Sequence, residues 1–391
     1  MIAVRAGQIL TPQTRIEPGL LFVESGVIRD IVPDQKQDLS GMEVIDASDQ
    51  ILAPGLIDLH THGINGRQGI DGSPEDYARM SEQYARHGVT SFLATIAGPQ
   101  AGIEAGIQAV LHSRVQGAEI LGIHLEGPFI NPARKGAFDP KTIIPPDLTL
   151  LKHYLQAARG EIRLITLAPE MEHALELVRY AAQAGVICSA GHTQATWEQM
   201  MTAIEAGVSH VTHTFNGMAP LNHREPGILG AALVDDRLTV EIIADGIHIH
   251  PAALKLLLRC KPLSRVVVIS DSIGAAGLPD GEYRFEGVEV TVAHGSARLK
   301  DGTLAGSVTT LEKELANLVN LAGLPLSEAL QIAGLNPATE INVHDRKGAL
   351  AAGMDADLVC LNRETLALQW TMARGRRFEP NHPRSWQPPR L

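Results

Sequence analysis

Histidines and carboxylates gather at a few places in this sequence, and their types point to metal-ion chemistry. His60 and His62 stand two apart in His60-Thr61-His62. On a strand, residues i and i+2 point to the same side, so both imidazoles can reach one ion. Two polar residues ending a strand would give the same pattern. Glu126 closes the run Ile123-His124-Leu125-Glu126-Gly127-Pro128. A carboxylate there needs a partner, because burying a bare charge is costly. Metal or Arg would serve, and a helix cap or a salt bridge is the ordinary alternative. His124 shares the face of Glu126 and reads either as a residue behind the ligands or as a satisfied core histidine, the core reading slightly favoured. His192 follows small residues in Ser189-Ala190-Gly191-His192-Thr193, where backbone can approach an ion or ligand closely.

His210-Val211-Thr212-His213 offers two imidazoles, but i and i+3 do not share a strand face. His213, nearer the strand end, is expected as the ligand and His210 as structural. Asp271 sits in Val268-Ile269-Ser270-Asp271-Ser272. Beside a metal-bound water, an Asp can take a proton and later pass it to a leaving amine. It could instead cap the next turn. Arg224, in Asn222-His223-Arg224-Glu225-Pro226-Gly227, could clamp a phosphate or carboxylate, or pair with Glu225. One carboxylate with several imidazoles suits a divalent ion such as Zn²⁺ or Fe²⁺. Mg²⁺ and Ca²⁺ would ask for more oxygen ligands.

These residues need elements that bring them together. Apolar, β-rich runs fall at residues 53–58, 90–95, 120–125, 162–167, 186–190, 210–212, 240–244 and 265–270. Amphipathic segments lie between most of them, at 74–87, 171–184, 196–206 and 251–260. Near-continuous apolar runs are what strands buried on both faces show. Eight such units with right-handed crossovers predict a (β/α)8 TIM-like barrel in an α/β fold. An open doubly wound sheet is the rival. In a barrel, functional side chains sit at the C-terminal strand ends. His60, His62, Glu126, His192, His213, His248 and Asp271 all fall there. Both ends of the chain are β-rich, with 20–23 and 27–32 near the start and 357–361 near the close. Neither end has enough strands alone. They are expected to pair into one small β-sandwich from 1–52 plus 343–391, flanking a barrel over 53–342. Residues 283–300 turn β-like again, and 311–321 and 326–333 return to helix.

The bulk properties narrow the function classes. The chain has 391 residues and a formal net charge of -11. That charge repels nucleic acid and anionic membranes, so neither is expected as a partner. It also repels an anionic substrate, so a phosphate would need a local cluster of cations and N–H groups. Three separated cysteines, Cys188, Cys260 and Cys360, form no disulfide framework. With no basic, apolar leader at residues 1–7 and no long apolar span, a cytoplasmic location is expected. No Gly-x-Ser-x-Gly elbow and no outstanding cysteine point to a covalent route.

Taken in order, several segments resemble the amidohydrolase superfamily and, within it, the N-acetylglucosamine-6-phosphate deacetylases. They are 53–63 with His60-Thr61-His62-Gly63, then His124-Leu125-Glu126-Gly127-Pro128-Phe129 and Gly191-His192-Thr193. His213-Thr214-Phe215-Asn216-Gly217-Met218, His223-Arg224-Glu225-Pro226-Gly227, Ala244-Asp245-Gly246-Ile247-His248 and Ser270-Asp271 follow. The His-Leu-Glu-Gly-Pro and Arg-Glu-Pro-Gly segments are the specific ones. The resemblance spans nearly the whole chain. It implies a barrel with a β-sandwich from both termini, and a homodimer. It implies a metal held by Glu126, His192 and His213, with His60 and His62 able to hold a second. Asp271 becomes the general acid/base. Substrate contacts would fall at Ala137, Phe138, Asn216, Gly217, Arg224 and His248, and at Leu304-Ala305-Gly306. Arg224 and His248 look like phosphate and sugar contacts, some of them across a dimer interface.

One position departs from the family. Lys135-Gly136-Ala137-Phe138-Asp139-Pro140 carries Phe where relatives commonly carry a substrate-touching His. Phe cannot donate a hydrogen bond. The implied reaction is metal-assisted hydrolysis of the acetamide of N-acetylglucosamine 6-phosphate. Its galactosamine epimer or a related acyl amino sugar is the alternative substrate. A different amide, or a non-enzymatic scaffold on the same fold, is the wider alternative.

Overall fold

The computed structural model describes residues 1–11, 14–35, 37–70 and 72–381. Residues 382–391, the end of the expected terminal domain, lie outside them. The eight apolar runs form eight parallel strands: β1 (Leu56–Thr61), β2 (Val89–Ile96), β3 (Glu119–Glu126), β4 (Ile162–Leu167), β5 (Ile187–Ala190), β6 (Val208–Val211), β7 (Thr239–Ile242) and β8 (Val266–Val268). Each pairs with its neighbour in chain order. The ring closes where Thr61 bridges Ser272 in parallel. There the Asp271 N–H donates to the His60 carbonyl at 2.9 Å. Every residue of β2 is buried, as expected where helices cover the outside and side chains fill the inside. The barrel, and not the open sheet, is the fold.

The crossover helices start where local chemistry allows. Pro74–Arg86 opens on a reciprocal cap between Ser73 and Asp76, with Pro in its first turn. That pairing satisfies N–H groups that the first turn leaves free. The expected helix over 251–260 is Pro251–Cys260, capped by His250. The first strand differs from expectation. Ala53 and Pro54 end a longer strand, Glu43–Pro54, and Gly55 separates it from β1. A Cβ on Gly55 would lie 2.3 Å from Thr90 Oγ1, so only glycine lets the chain pass β2 at that distance.

The two ends of the chain make one mixed sheet. Leu358–Asn362 lies antiparallel to Glu43–Pro54, with Leu358 opposite Pro54 and Asn362 opposite Gln50. Val4, Leu21, Ile28, Leu52, Leu358 and Trp370 share its core. Lys347 ties this sheet to the barrel. Its side chain is 1% exposed, and Nζ lies 2.8 Å from Glu119, 2.9 Å from Asp355 and 2.5 Å from Asp357. Burial raises the Glu119 carboxyl, but Arg346 and Lys347 outweigh it and hold it down to about 2. Removing one partner of a buried ion network leaves an uncompensated charge. Lys347→Ala should therefore lose about 3–5 kcal/mol of stability, read as a lower midpoint in chemical denaturation. An unchanged midpoint would contradict this role.

After β8 the β-like stretch becomes a four-stranded antiparallel insert: Gly281–Phe285, Val288–Ala293, Ser296–Arg298 and Leu304–Ser307. Ser307 bridges Ser272, and its N–H donates to the Asp271 carbonyl at 2.7 Å. The insert is thereby fastened to the mouth of the barrel.

Candidate metal centre and active site

Strand ends from five barrel strands converge on one buried cluster. β1 delivers His60 and His62, β3 Glu126, β5 His192, β6 His213 and β8 Asp271. All six are buried. They form two groups, His60–His62–Asp271 and Glu126–His192–His213, each with ligand atoms within 4.8 Å of one another. Glu126 joins them. Its Oε1 lies 3.1 Å from His192 Nε2 and 3.3 Å from His213 Nε2. Its Oε2 lies 3.2 Å from His62 Nε2 and 3.6 Å from His60 Nε2. Asp271 Oδ1 lies 3.4 Å from His60 Nε2 and 3.3 Å from His62 Nε2.

The outer ring nitrogens explain why these atoms face inward. His60 Nδ1 is 3.0 Å from Glu241 Oε2, His62 Nδ1 is 3.4 Å from Glu286 Oε1, and His192 Nδ1 is 2.8 Å from the Arg134 carbonyl. The hydrogen-bonded acceptors behind His60 and His192 hold the proton at Nδ1 and leave the Nε2 lone pair for an ion, while Glu286 stands behind His62 at ion-pair distance. His192 Nε2 faces His213 Nε2 at 3.1 Å, and His60 Nε2 faces His62 Nε2 at 3.3 Å. These nitrogens and the Glu126 and Asp271 oxygens all point into one space, where a single kind of guest, a cation, would accept them together, so the donor set fits a divalent ion of borderline softness.

Electrostatics and backbone agree with that use. Burial pushes the Asp271 carboxyl up, but His60, His62 and His213 outweigh it and hold it below its ordinary range. Glu126 is held well below its range in the same way, against burial, by His60, His192 and His213. Both are carboxylates at neutral pH. Burial raises Glu286, with His62 only partly offsetting it. His192, His213 and Asp271 all have positive φ, 47°, 28° and 47°. Non-glycine residues in that region carry strain of roughly 1–3 kcal/mol each, and such strain clusters at functional sites.

His124 and His210 stay out of the cage, as expected. His124 contacts Thr95 Oγ1 at 3.3 Å and Thr166 Oγ1 at 2.8 Å, and burial lowers it well below its ordinary value. His210 lies between Glu241 at 3.2 Å and Glu340 at 3.0 Å. Burial lowers it, but both carboxylates outweigh that and bring it to about 9.

A cavity of about 400 Å³ opens on the cluster. Ala137, Phe138, Asn216, Gly217, His248, Leu304 and Gly306 line it beside His62, Glu126, His192, His213 and Asp271. Two expected contacts do not line it. Ala305 is fully buried in the insert's core with Ile273 and Val290, because alternation along Leu304–Ser307 turns it away from its neighbours' face. Arg224 is exposed on the loop before the helix Gly227–Val234, where Asn222 Oδ1 caps its N–H at 2.9 Å. Phe138 packs edge-on against His192, with centroids 5.0 Å apart. His248 Nδ1 is held 2.7 Å from Asp245 Oδ2. A larger cavity, about 590 Å³, is lined by Gln8, Arg15, Leu330 and Gln331 among others. Neither candidate metal group borders it.

Sequence reading missed Glu241, Phe285, Glu286 and Arg298. Glu241 carried a usable signal: it is a lone charge inside the apolar strand Thr239–Ile242. The other three lie on the insert, and local pattern gave them no role.

The amidohydrolase family profile matches residues 51–376. The chain belongs to the amidohydrolase family. Within that family it groups with the N-acetylglucosamine-6-phosphate deacetylases. The N-acetylglucosamine-6-phosphate deacetylase of Bacillus subtilis (strain 168) is 39% identical, covering 91% of this chain and 92% of its own. The N-acetylgalactosamine-6-phosphate deacetylase of Escherichia coli O157:H7 is 36% identical, covering 92% and 94%. A Mycobacterium smegmatis N-acetyl-D-glucosamine-6-phosphate deacetylase variant, solved with N-acetyl-D-glucosamine-6-phosphate, matches at TM-score 0.88 and 32% identity, covering 96% and 98%. Amidohydrolases are metal-dependent hydrolases, and the paired His/carboxylate groups fit that membership.

Proposed function

We propose that this enzyme removes the N-acetyl group from N-acetylglucosamine 6-phosphate, giving glucosamine 6-phosphate and acetate. The observation that carries the reading is two His/carboxylate groups, one of them containing Asp271, on which a cavity of about 400 Å³ opens. Glu126, His192 and His213 would hold one divalent ion, and His60 and His62 with Asp271 a second. Zn²⁺ suits this donor set first, with Fe²⁺ the other choice. Such an ion lowers the pKa of water towards about 7 and polarises an amide carbonyl. Asp271 accepts the proton of the attacking water and returns it to the departing nitrogen. Phe138 and Phe215 supply apolar walls, and Asn216 and Gly217 supply polar groups beside them.

The phosphate needs a cation, and among the described residues Arg298 is the one Arg or Lys that lines the cavity. Its Nη1 is held by the Gly302 carbonyl at 2.8 Å. His248 stands in the same wall. Charge-assisted hydrogen bonds contribute about 1.5–3 kcal/mol. Arg298→Met should therefore raise KM for the phosphorylated sugar by about ten- to a hundredfold. KM for the unphosphorylated sugar should not move, and equal effects on both would sink this assignment. We also propose a cytoplasmic homodimer. Arg224 and Leu221 are exposed on one loop, and Arg224 of a second copy could then reach the phosphate. Among the described residues, no helix is long and apolar enough to cross a membrane.

Phe138 and the Escherichia coli O157:H7 relative favour one second reading, the galactosamine epimer. Acetate release by metal-quantified protein decides between the two. N-acetylglucosamine 6-phosphate, its galactosamine epimer and the unphosphorylated sugar are compared. Fastest release from the first supports the main reading, and fastest release from the epimer replaces it. No release from either phosphate discards the sugar-phosphate assignment and leaves the amidohydrolase barrel.

A further inference from the structure

Glu286 is an unusual residue for its place. It opens the turn Glu286-Gly287 between Gly281–Phe285 and Val288–Ala293. Both turn residues have positive φ, 49° and 85°. Such turns favour Asn-Gly or Asp-Gly, because a longer side chain in the left-handed region is strained. A hairpin tip ordinarily faces water, yet the Glu286 side chain is 5% exposed. Its Oε1 lies 3.4 Å from His62 Nδ1. Phe285 meets the same imidazole edge-on, with centroids 5.2 Å apart. Glu286 is not among the residues lining the cavity. It stands behind His62, on the side of the ring away from Glu126 and Asp271, whose oxygens face Nε2.

We propose that Glu286 is a positioning residue for an ion held by His60, His62 and Asp271, so that the insert's hairpin tip sets how tightly that subsite fills. A carboxylate at Nδ1 orients the ring and fixes the proton there, keeping the Nε2 lone pair aimed inward. Glu241 does the same for His60 from the barrel wall. The strain of the turn and the burial of the carboxylate then have a common cause. This inference rests on the two-ion reading given above.

Zn²⁺ titration of metal-free full-length protein against a competing chromophoric chelator tests it. Wild type, Glu286→Ala and Glu286→Gln are compared, with melting curves of the metal-free forms to check folding. Wild type should show two affinities. Glu286→Ala should weaken one by about 10–100-fold, the usual effect of losing such a partner, and spare the other. Glu286→Gln, which keeps an acceptor oxygen and the side-chain shape, should fall between, and it carries the test if the alanine form misfolds. Two unchanged affinities, or equal weakening of both, would overturn the proposal. Wild type with one affinity would overturn it together with the two-ion reading, while acetate release by that same protein would show the deacetylase reading intact.

Discussion

Asp271→Asn should lower kcat by about 10²–10⁴-fold, the usual contribution of a positioned acid/base group. KM should change little, because the amide oxygen of Asn keeps the shape of the cavity wall. The size of the effect follows from placement. Asp271 is 7% exposed, lines the cavity and is held ionised by three imidazoles. An amide cannot take the proton of water or deliver one to the departing nitrogen. Because Asp271 also belongs to the His60–His62 group, bound metal must be measured beside turnover. Lost turnover with metal retained marks proton transfer. Turnover that returns with excess metal would instead mark Asp271 as a ligand only and overturn its acid/base role.

Glu126→Ala should cost more, because one carboxylate serves both groups. Its two oxygens stand within 3.6 Å of the Nε2 atoms of His60, His62, His192 and His213. Without it, His192 and His213 keep no carboxylate between them, and Asp271 alone is left to balance a cation at His60 and His62. Metal content should fall below one ion per chain, and acetate release should fall to the uncatalysed background. Metal-induced stabilisation should vanish as well. An ion at a hundredfold excess over its Kd adds about 2.7 kcal/mol to a folded state that alone binds it. Added Zn²⁺ should thus raise Tm in wild type and leave Glu126→Ala unmoved. Wild-type metal content in the variant would remove Glu126 from the ligand set.

Much of this site was legible because its components are local. His60 and His62 share a face through the two-residue period of a strand, and strand ends mark the functional rim of a barrel. Glu126, His192, His213 and Asp271 could be singled out one at a time, each at the close of an apolar run. The departure at Phe138 was also visible, since it breaks a short motif, and the structure places that ring against His192.

The sequence by itself determined the barrel, the joining of its two β-rich ends and the residue types that face one another at the rim. Periodicity and strand-end position are properties of short segments, so they survive reading in one dimension. Tertiary structure alone decided which carboxylates stand behind the histidines. Glu241 meets His60 across 181 residues, and Glu286 reaches His62 from a hairpin that begins after the eighth strand has ended. It also decided that Ala305 turns into the insert's core, that Arg224 stands outside the cavity and that Arg298 lines it. Those outcomes depend on barrel closure and on how the insert folds back over the rim. No local pattern encodes them, because each is a distance between segments that only packing brings together.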